Sequence, residues 1–111
     1  MNCIFCKIAA GDIPSRKLYE DDQVVAFYDI EPKAPVHFLV IPKTHLAGVR
    51  EVNADNSALV AHIFEVIPGI AAEIGLEQYR VVTNNGEQAG QTVHHLHFHV
   101  LAKRSLAWPP G

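Results

Sequence analysis

The chain has 111 residues, near the size that one hydrophobic core supports, of which 49% are apolar and 19% charged. A formal charge of −3 gives no basis for nonspecific attraction to DNA or RNA, although a nucleotide needs only a few local groups. No run reaches the roughly 18 consecutive apolar residues of a membrane span. The first residues lack a basic segment followed by an apolar stretch, so one soluble, cytoplasmic domain over residues 1–111 is expected.

Cys3 and Cys6, the only two cysteines, form a C-x-x-C pair. A thioredoxin-like redox pair would follow a strand, and none precedes it here. Metal binding is then the better expectation, with two further ligands to be found. Ile4, Phe5, Ile8 and Ala9 follow helical spacing up to Gly11 and predict a short helix over 3–10. After a loop at 11–15, the runs 17–20 and 24–30 predict two strands around the turn Asp21-Asp22. Residues 31–35 form a proline-punctuated loop, and 36–42 a third strand whose alternation puts His37, Leu39 and Ile41 on one face.

Residues 43–52 carry no defined pattern. Candidate N-caps at 53–57 precede the amphipathic stripe Leu59, Ile63, Val66, Ile67, Ile70. Pro68 removes one hydrogen bond at a cost of about 3 kcal/mol, so a kink near Glu65 is expected, with Gly75 as the stop. Residues 78–83 predict a strand, and the polar loop 84–91, containing Gly86 and Gly90, leads into the last one. The order β-β-β-α-β-β predicts an α+β domain: a five-stranded antiparallel sheet, one long kinked helix and a short N-terminal helix.

That last strand, predicted over 92–101, holds four of the seven histidines. His95, His97 and His99 alternate with Leu96, Phe98 and Val100, so in a strand the imidazoles share one face and the apolar side chains enter the core. A half-buried strand that happens to carry histidines is the bland alternative, and three in register make it a poor one. His94 points away from the triad, packed or exposed. Steps of about 6.5–7 Å put the outer two triad residues about 13 Å apart, too far to share one ion through bonds of about 2 Å, so a metal could take two of the three with a distant partner but hardly all. Nucleophilic attack by an imidazole and general acid–base work remain open. Imidazole N–H groups suit phosphate oxygens, and backbone amides near Gly86 and Gly90 could approach a phosphate closely.

The run from His95 to Leu101 resembles the H-φ-H-φ-H-φ-φ signature of the histidine triad (HIT) nucleotide-binding family. Residues 27–30, 34–43, 90–93 and the ending Trp108-Pro109-Pro110-Gly111 are similar to its Hint branch, so the likeness covers nearly the whole chain. The resemblance implies a HIT-like fold and a purine nucleoside phosphoramidase. Such an enzyme hydrolyses a nucleoside 5′-phosphoramidate, for example adenosine 5′-monophosphoramidate, to the nucleoside monophosphate and an amine. It implies that His97 attacks the α-phosphorus and carries a transient nucleotidyl group, that His99 contacts a phosphate oxygen, and that His95 positions. His37 would support the triad from a neighbouring strand, and Thr92 would set a hydroxyl near the leaving group.

The resemblance further implies that Asp29 holds the ribose hydroxyls and that Phe5, Ile8, Ile13, Phe27, Tyr28 and Ile30 surround the base. Asn84, Gly90 and the backbone amide of Gln91 or Val93 would cradle phosphate. A homodimer is implied, with Trp108 close to the partner's site. Some family members are similar in recruiting the first triad histidine into a C-x-x-C…H…H site. Here that implies a structural zinc held by Cys3, Cys6, His45 and His95, with His94 as the runner-up ligand and free thiols as the alternative. Dinucleoside polyphosphate hydrolase and nucleotidyl transferase are rival activities of the same fold, and a nucleotide-binding interaction module is a rival of another class. On the residues alone, Phe5, Ile8, Ile13, Phe27 and Ile30 read more readily as core, Asp29 equally as a turn or cap, and Asn84 as a turn residue. His62 receives no function.

Overall fold

Strand β3, Val36–Pro42, is apolar along nearly its whole length because both of its faces are covered. The computed structural model describes residues 3–111. In it, β3 lies at the centre of a five-stranded antiparallel sheet of order β1-β2-β3-β5-β4, with β1 at Lys17–Glu20, β2 at Val24–Tyr28, β4 at Arg80–Val82 and β5 at Phe98–Ala102. The long helix α2, Ser57–Glu73, packs Ile63, Val66, Ile67, Ile70 and Ala71 against one face, where Val24, Ala26, Phe38, Val40, Phe98 and Val100 meet it. The short helix α1, Ile4–Ala9, covers part of the other face with Phe5 and Ile8, against Val25, Phe27, Leu39 and Ile41. This second face carries the histidines.

Helix α2 runs without a break through Pro68, which offers no N–H to the Phe64 carbonyl one turn earlier. Its predicted stop holds: Gly75 has φ +77°, a conformation that favours glycine. No helix among the described residues is long and apolar enough to cross a membrane.

Two strands are shorter than their sequence patterns. The run 78–83 pairs only at Arg80–Val82. The histidine run enters the sheet only at Phe98, so of the triad His99 alone lies in a strand. The ladder with β3 ends at Val40↔Phe98 and the ladder with β4 at Val82↔His99. Before that point the chain bends, and the Leu96 N–H donates to the Leu46 carbonyl at 2.6 Å, outside the sheet. Leu96, Phe98 and Val100 are nonetheless all buried on the α2 side, as their alternation predicts.

Candidate active site

His97 is 5% exposed and lies at the end of the bend, edge-on to Phe5 at 5.1 Å between ring centroids. Its Nδ1 is 2.6 Å from the carbonyl oxygen of His95. A carbonyl can only accept, so Nδ1 carries the proton and the neutral ring keeps an unshared pair on Nε2. Burial pushes His97 below the ordinary histidine range, with the His95 carbonyl opposing, and so favours the neutral nucleophilic form.

A second chain of bonds sets the tautomer of His99. The Lys33 N–H donates to His37 Nδ1 at 3.0 Å, so the proton of neutral His37 sits on Nε2. That Nε2 lies 2.9 Å from His99 Nδ1 and 3.4 Å from Asp29 Oδ2. Donation to His99 Nδ1 leaves His99 with its own proton on Nε2, as a donor. Burial, reinforced by the His97 and His37 rings, pushes His99 down to about 4. Asp29, His37 and His99 lie close enough to suggest a cation site. The protonated His37 Nε2 has no lone pair to give one, so this cluster is a proton-positioning network instead.

His95 is fully buried and turns away from its two neighbours. Its Nε2 donates to the Pro42 carbonyl at 2.8 Å, which bares Nδ1. That nitrogen lies 3.3 Å from Cys3 Sγ, 3.5 Å from Cys6 Sγ and 3.1 Å from His45 Nδ1, while Cys6 Sγ is 3.2 Å from His45 Nδ1. Four soft or borderline donor atoms within 4.8 Å of one another match a tetrahedral zinc with bonds of about 2.0–2.3 Å, whose ligand atoms stand about 3.3–3.8 Å apart. The donor set therefore fits structural zinc. Because of the bend, His95 and His99 are not the ends of one extended strand, so the spacing of about 13 Å expected for a strand does not apply. His94, the runner-up ligand, is absent from this cluster; its side chain is 50% exposed and faces Glu87 at 3.8 Å.

Other residues of the expected site divide by strand parity. Phe5, Ile8 and Phe27 are buried on the histidine face, with Ile13 and Val93 packed against them. Ile30 projects outward, 93% exposed, at the rim. Tyr28 does not join them: adjacent strand residues face opposite ways, so Tyr28 packs on the α2 side with the Arg16 guanidinium 4.7 Å over its ring. Asp29 plays the turn role, since Oδ1 accepts from the Glu31 N–H at 2.8 Å, while Oδ2 faces His37 at 3.4 Å.

Asn84 sits against Gly90, whose φ of +95° favours glycine. The Gln91 N–H is committed to the Gly86 carbonyl at 3.1 Å, which withdraws it from any phosphate cradle. Of the two amides named for that role, only that of Val93 lacks a partner among the described residues. Thr92 is exposed, and Trp108 is 82% exposed in the tail.

Two side-chain roles carry no signal in the sequence, those of Gln91 and Thr83. The Gln91 side chain is 3% exposed and binds four groups: Nε2 donates to the carbonyls of Ala47 and Val93, and Oε1 accepts from the Gly86 N–H and Arg50. The Thr83 hydroxyl donates to the His97 carbonyl at 2.7 Å. Neither has a periodic signal, because the bonds from Gln91 to Ala47 and from Thr83 to His97 join a side chain to backbone that is distant in sequence.

A family model described as scavenger mRNA decapping enzyme C-term binding matches residues 2–107. An uncharacterized HIT-like protein of Synechococcus elongatus is 52% identical over 109 residues, covering 97% of this chain and 96% of that one. The crystal structure of a HIT family hydrolase from Legionella pneumophila matches with a TM-score of 0.96 at 46% identity, covering 99% of this chain and 100% of the other. A histidine triad protein from Clostridium difficile gives 0.93 at 49% identity, over 96% and 95% of the two chains. With the imidazole face and the five-stranded fold in place, these matches establish that the chain belongs to the histidine triad (HIT) family of nucleotide-binding proteins and has the fold of its hydrolases.

Proposed function

We propose that the chain hydrolyses purine nucleoside 5′-phosphoramidates through a nucleotidyl intermediate on His97. The observation that carries this reading is the 2.6 Å bond from His97 Nδ1 to the His95 carbonyl, which leaves Nε2 as a bare, buried nucleophile. In the first step Nε2 bonds to the α-phosphorus as the phosphorus–nitrogen bond breaks. The amine departs with that electron pair and takes a proton from water, beside the exposed Thr92 hydroxyl. Negative charge on the nonbridging oxygens is met by the Nε2–H of His99, held in that tautomer by His37, and by the Val93 amide, with Asn84 and Gly90 completing the cradle. In the second step the hydroxide left by that proton transfer attacks the phosphorus, the bond to Nε2 breaks, and His97 recovers its lone pair as the nucleoside monophosphate leaves.

Phe5, Ile8, Ile13, Phe27 and Ile30 form the apolar wall for the base in this reading, and Asp29 Oδ2 the acceptor for a ribose hydroxyl. Cys3, Cys6, His45 and His95 hold a structural zinc, which when bound ties α1 to the bend ahead of the nucleophile. We place the protein in the cytoplasm, where such thiols stay reduced, as a homodimer in which Trp108 approaches the partner's site.

The match to a decapping-enzyme family model favours one rival, hydrolysis of a dinucleoside polyphosphate, in which the same two steps expel a nucleotide instead of an amine. The test is turnover of adenosine 5′-monophosphoramidate against diadenosine polyphosphate, with acid-quench trapping of labelled nucleotide on the protein. Faster phosphoramidate turnover and label lost in His97→Ala are expected. Preference for the polyphosphate replaces the substrate assignment, and undiminished turnover in His97→Ala removes the nucleophile.

A further inference from the structure

The segment that carries the nucleophile is not held by the strand ladder, which stops at Val82↔His99 on one side and Val40↔Phe98 on the other. Side chains claim its carbonyls instead. Gln91 Nε2 donates to the Val93 carbonyl at 3.1 Å, His97 Nδ1 to that of His95 at 2.6 Å, and Thr83 Oγ1 to that of His97 at 2.7 Å. The second of these bonds sets the tautomer of His97, and the third holds the nucleophile's own carbonyl from outside the segment, on a peptide whose other end, Phe98, pairs with Val40.

We propose that Thr83 is a positioning residue for His97, its hydroxyl fixing the His97 carbonyl and thereby the peptide plane from which the attacking imidazole is aimed. This rests on the reading of His97 as the nucleophile. Thr83 directly follows Val82, the last paired residue of β4, so its backbone is anchored by the sheet. Its β-branched side chain has few rotamers, which suits a fixed donor. No backbone amide bonds the His97 carbonyl among the described residues, since the ladder has already ended. Without the hydroxyl that peptide is held only through Phe98, paired with Val40, and a tilt about that end moves the ring whose Nδ1 the His95 carbonyl holds. The Nδ1 bond spans only two residues and tolerates little of this. A small displacement of an attacking atom costs rate far more than binding.

The experiment compares wild type, Thr83→Val and Thr83→Ser by steady-state kinetics on adenosine 5′-monophosphoramidate and by 15N NMR of the imidazole nitrogens. Valine keeps the branched shape and removes only the donor. We expect Thr83→Val to lower kcat about five- to tenfold, one neutral hydrogen bond's worth, with KM within about twofold. We also expect its His97 nitrogens to shift from a fixed Nδ1–H pattern toward the average of the two tautomers. Thr83→Ser restores both. His97 signals in Thr83→Val identical to wild type, or a loss carried by KM alone, overturn the proposal. If Thr83→Val does not fold, Thr83→Ala carries the same expectation, and failure of both to fold assigns the hydroxyl to stability and overturns it too. A wild type inert toward the phosphoramidate refutes the proposed function, while the NMR comparison still decides the role of Thr83.

Discussion

Replacing Gln91 tests whether the loop that precedes the histidines is held by one buried amide. Gln91→Ala strips donors from the carbonyls of Ala47 and Val93, bonded at 2.6 and 3.1 Å, and an acceptor from the Gly86 N–H, bonded at 2.8 Å. Those three partners are only half-buried, so water reaches some of what is uncovered. Taking about 1 kcal/mol for each neutral bond gives a loss of about 3 kcal/mol, or a fall of about 10–20 °C in melting temperature. Gln91→Glu is the sharper variant. Its carboxylate still accepts from Gly86 and Arg50, but its second oxygen faces two carbonyls with no proton to offer. At pH 7.5 it should therefore be at least as destabilised as the alanine variant, despite its matching shape. Acidification below about 4.3 protonates it, restores one donor and narrows the gap to wild type. Urea unfolding of the three proteins at both pH values is the assay. A glutamate variant as stable as wild type at pH 7.5 refutes the assigned bonds, and so does a gap that does not change with pH.

Three further outcomes are expected. A Cβ at Gly48 would stand 2.8 Å from Asn85 Oδ1 and 3.0 Å from Arg50 Nη1, so Gly48→Ala should cost about 1–2 kcal/mol, and less in combination with Asn85→Ser; equal costs in both backgrounds would refute the crowding. His62 Nε2 lies 2.6 Å from Asp21 Oδ2 and ties α2 to the β1–β2 turn, with Glu65 at 3.6 Å on its other nitrogen and Tyr19 on the same carboxylate. The Asp21 bond holds His62 above the ordinary histidine range. Its contribution is thus complete below about pH 6.5 and lost as pH rises through the folded value. Burial opposes the ionisation of Asp21, but the bonds from His62, the Gln23 and Val24 amides and Tyr19 hold it below the carboxylate range, so its share is lost only in acid. His62→Gln should flatten the fall in stability as pH rises above about 6.5, and equal slopes in wild type and variant would contradict this. For the zinc, protein purified without added metal should carry about one ion per chain and Cys3→Ser far less; a content near zero that the variant leaves unchanged ends the hypothesis.

The sheet was legible because β2 and β3 are apolar runs of strand length, and α2 because its stripe has a helical period. The chemistry of the site was legible in the histidine alternation. Its geometry was not. Alternation predicts which face a side chain takes, and His97 and Leu96 obey it, but it does not demand a hydrogen-bonded ladder. What ends the ladder is the Leu46 carbonyl, from a stretch that offered no pattern to read. A family pocket carries no strand parity, and parity is what puts Phe27 on the histidine face and Tyr28 on the α2 face. Gln91 was credited with its backbone amide, whereas its side chain makes the connection between loops.

Four imidazoles of one chemical type are proposed to do different work, and what separates them is the group each opposite nitrogen meets. A carbonyl on Nδ1 of His97 bares Nε2 toward a phosphorus; a carbonyl on Nε2 of His95 bares Nδ1 toward two thiols; an N–H on Nδ1 of His37 moves its proton to Nε2 and so makes His99 a donor. All three deciding groups are backbone: His95, Pro42 and Lys33. The division of labour therefore comes from the path of the chain. In a paired strand the His95 carbonyl would lie in the sheet plane, aimed at a neighbouring strand and away from the ring two residues on. The bend at 93–97 frees that carbonyl to reach His97, so the departure from the predicted strand is what makes an attacking nitrogen available.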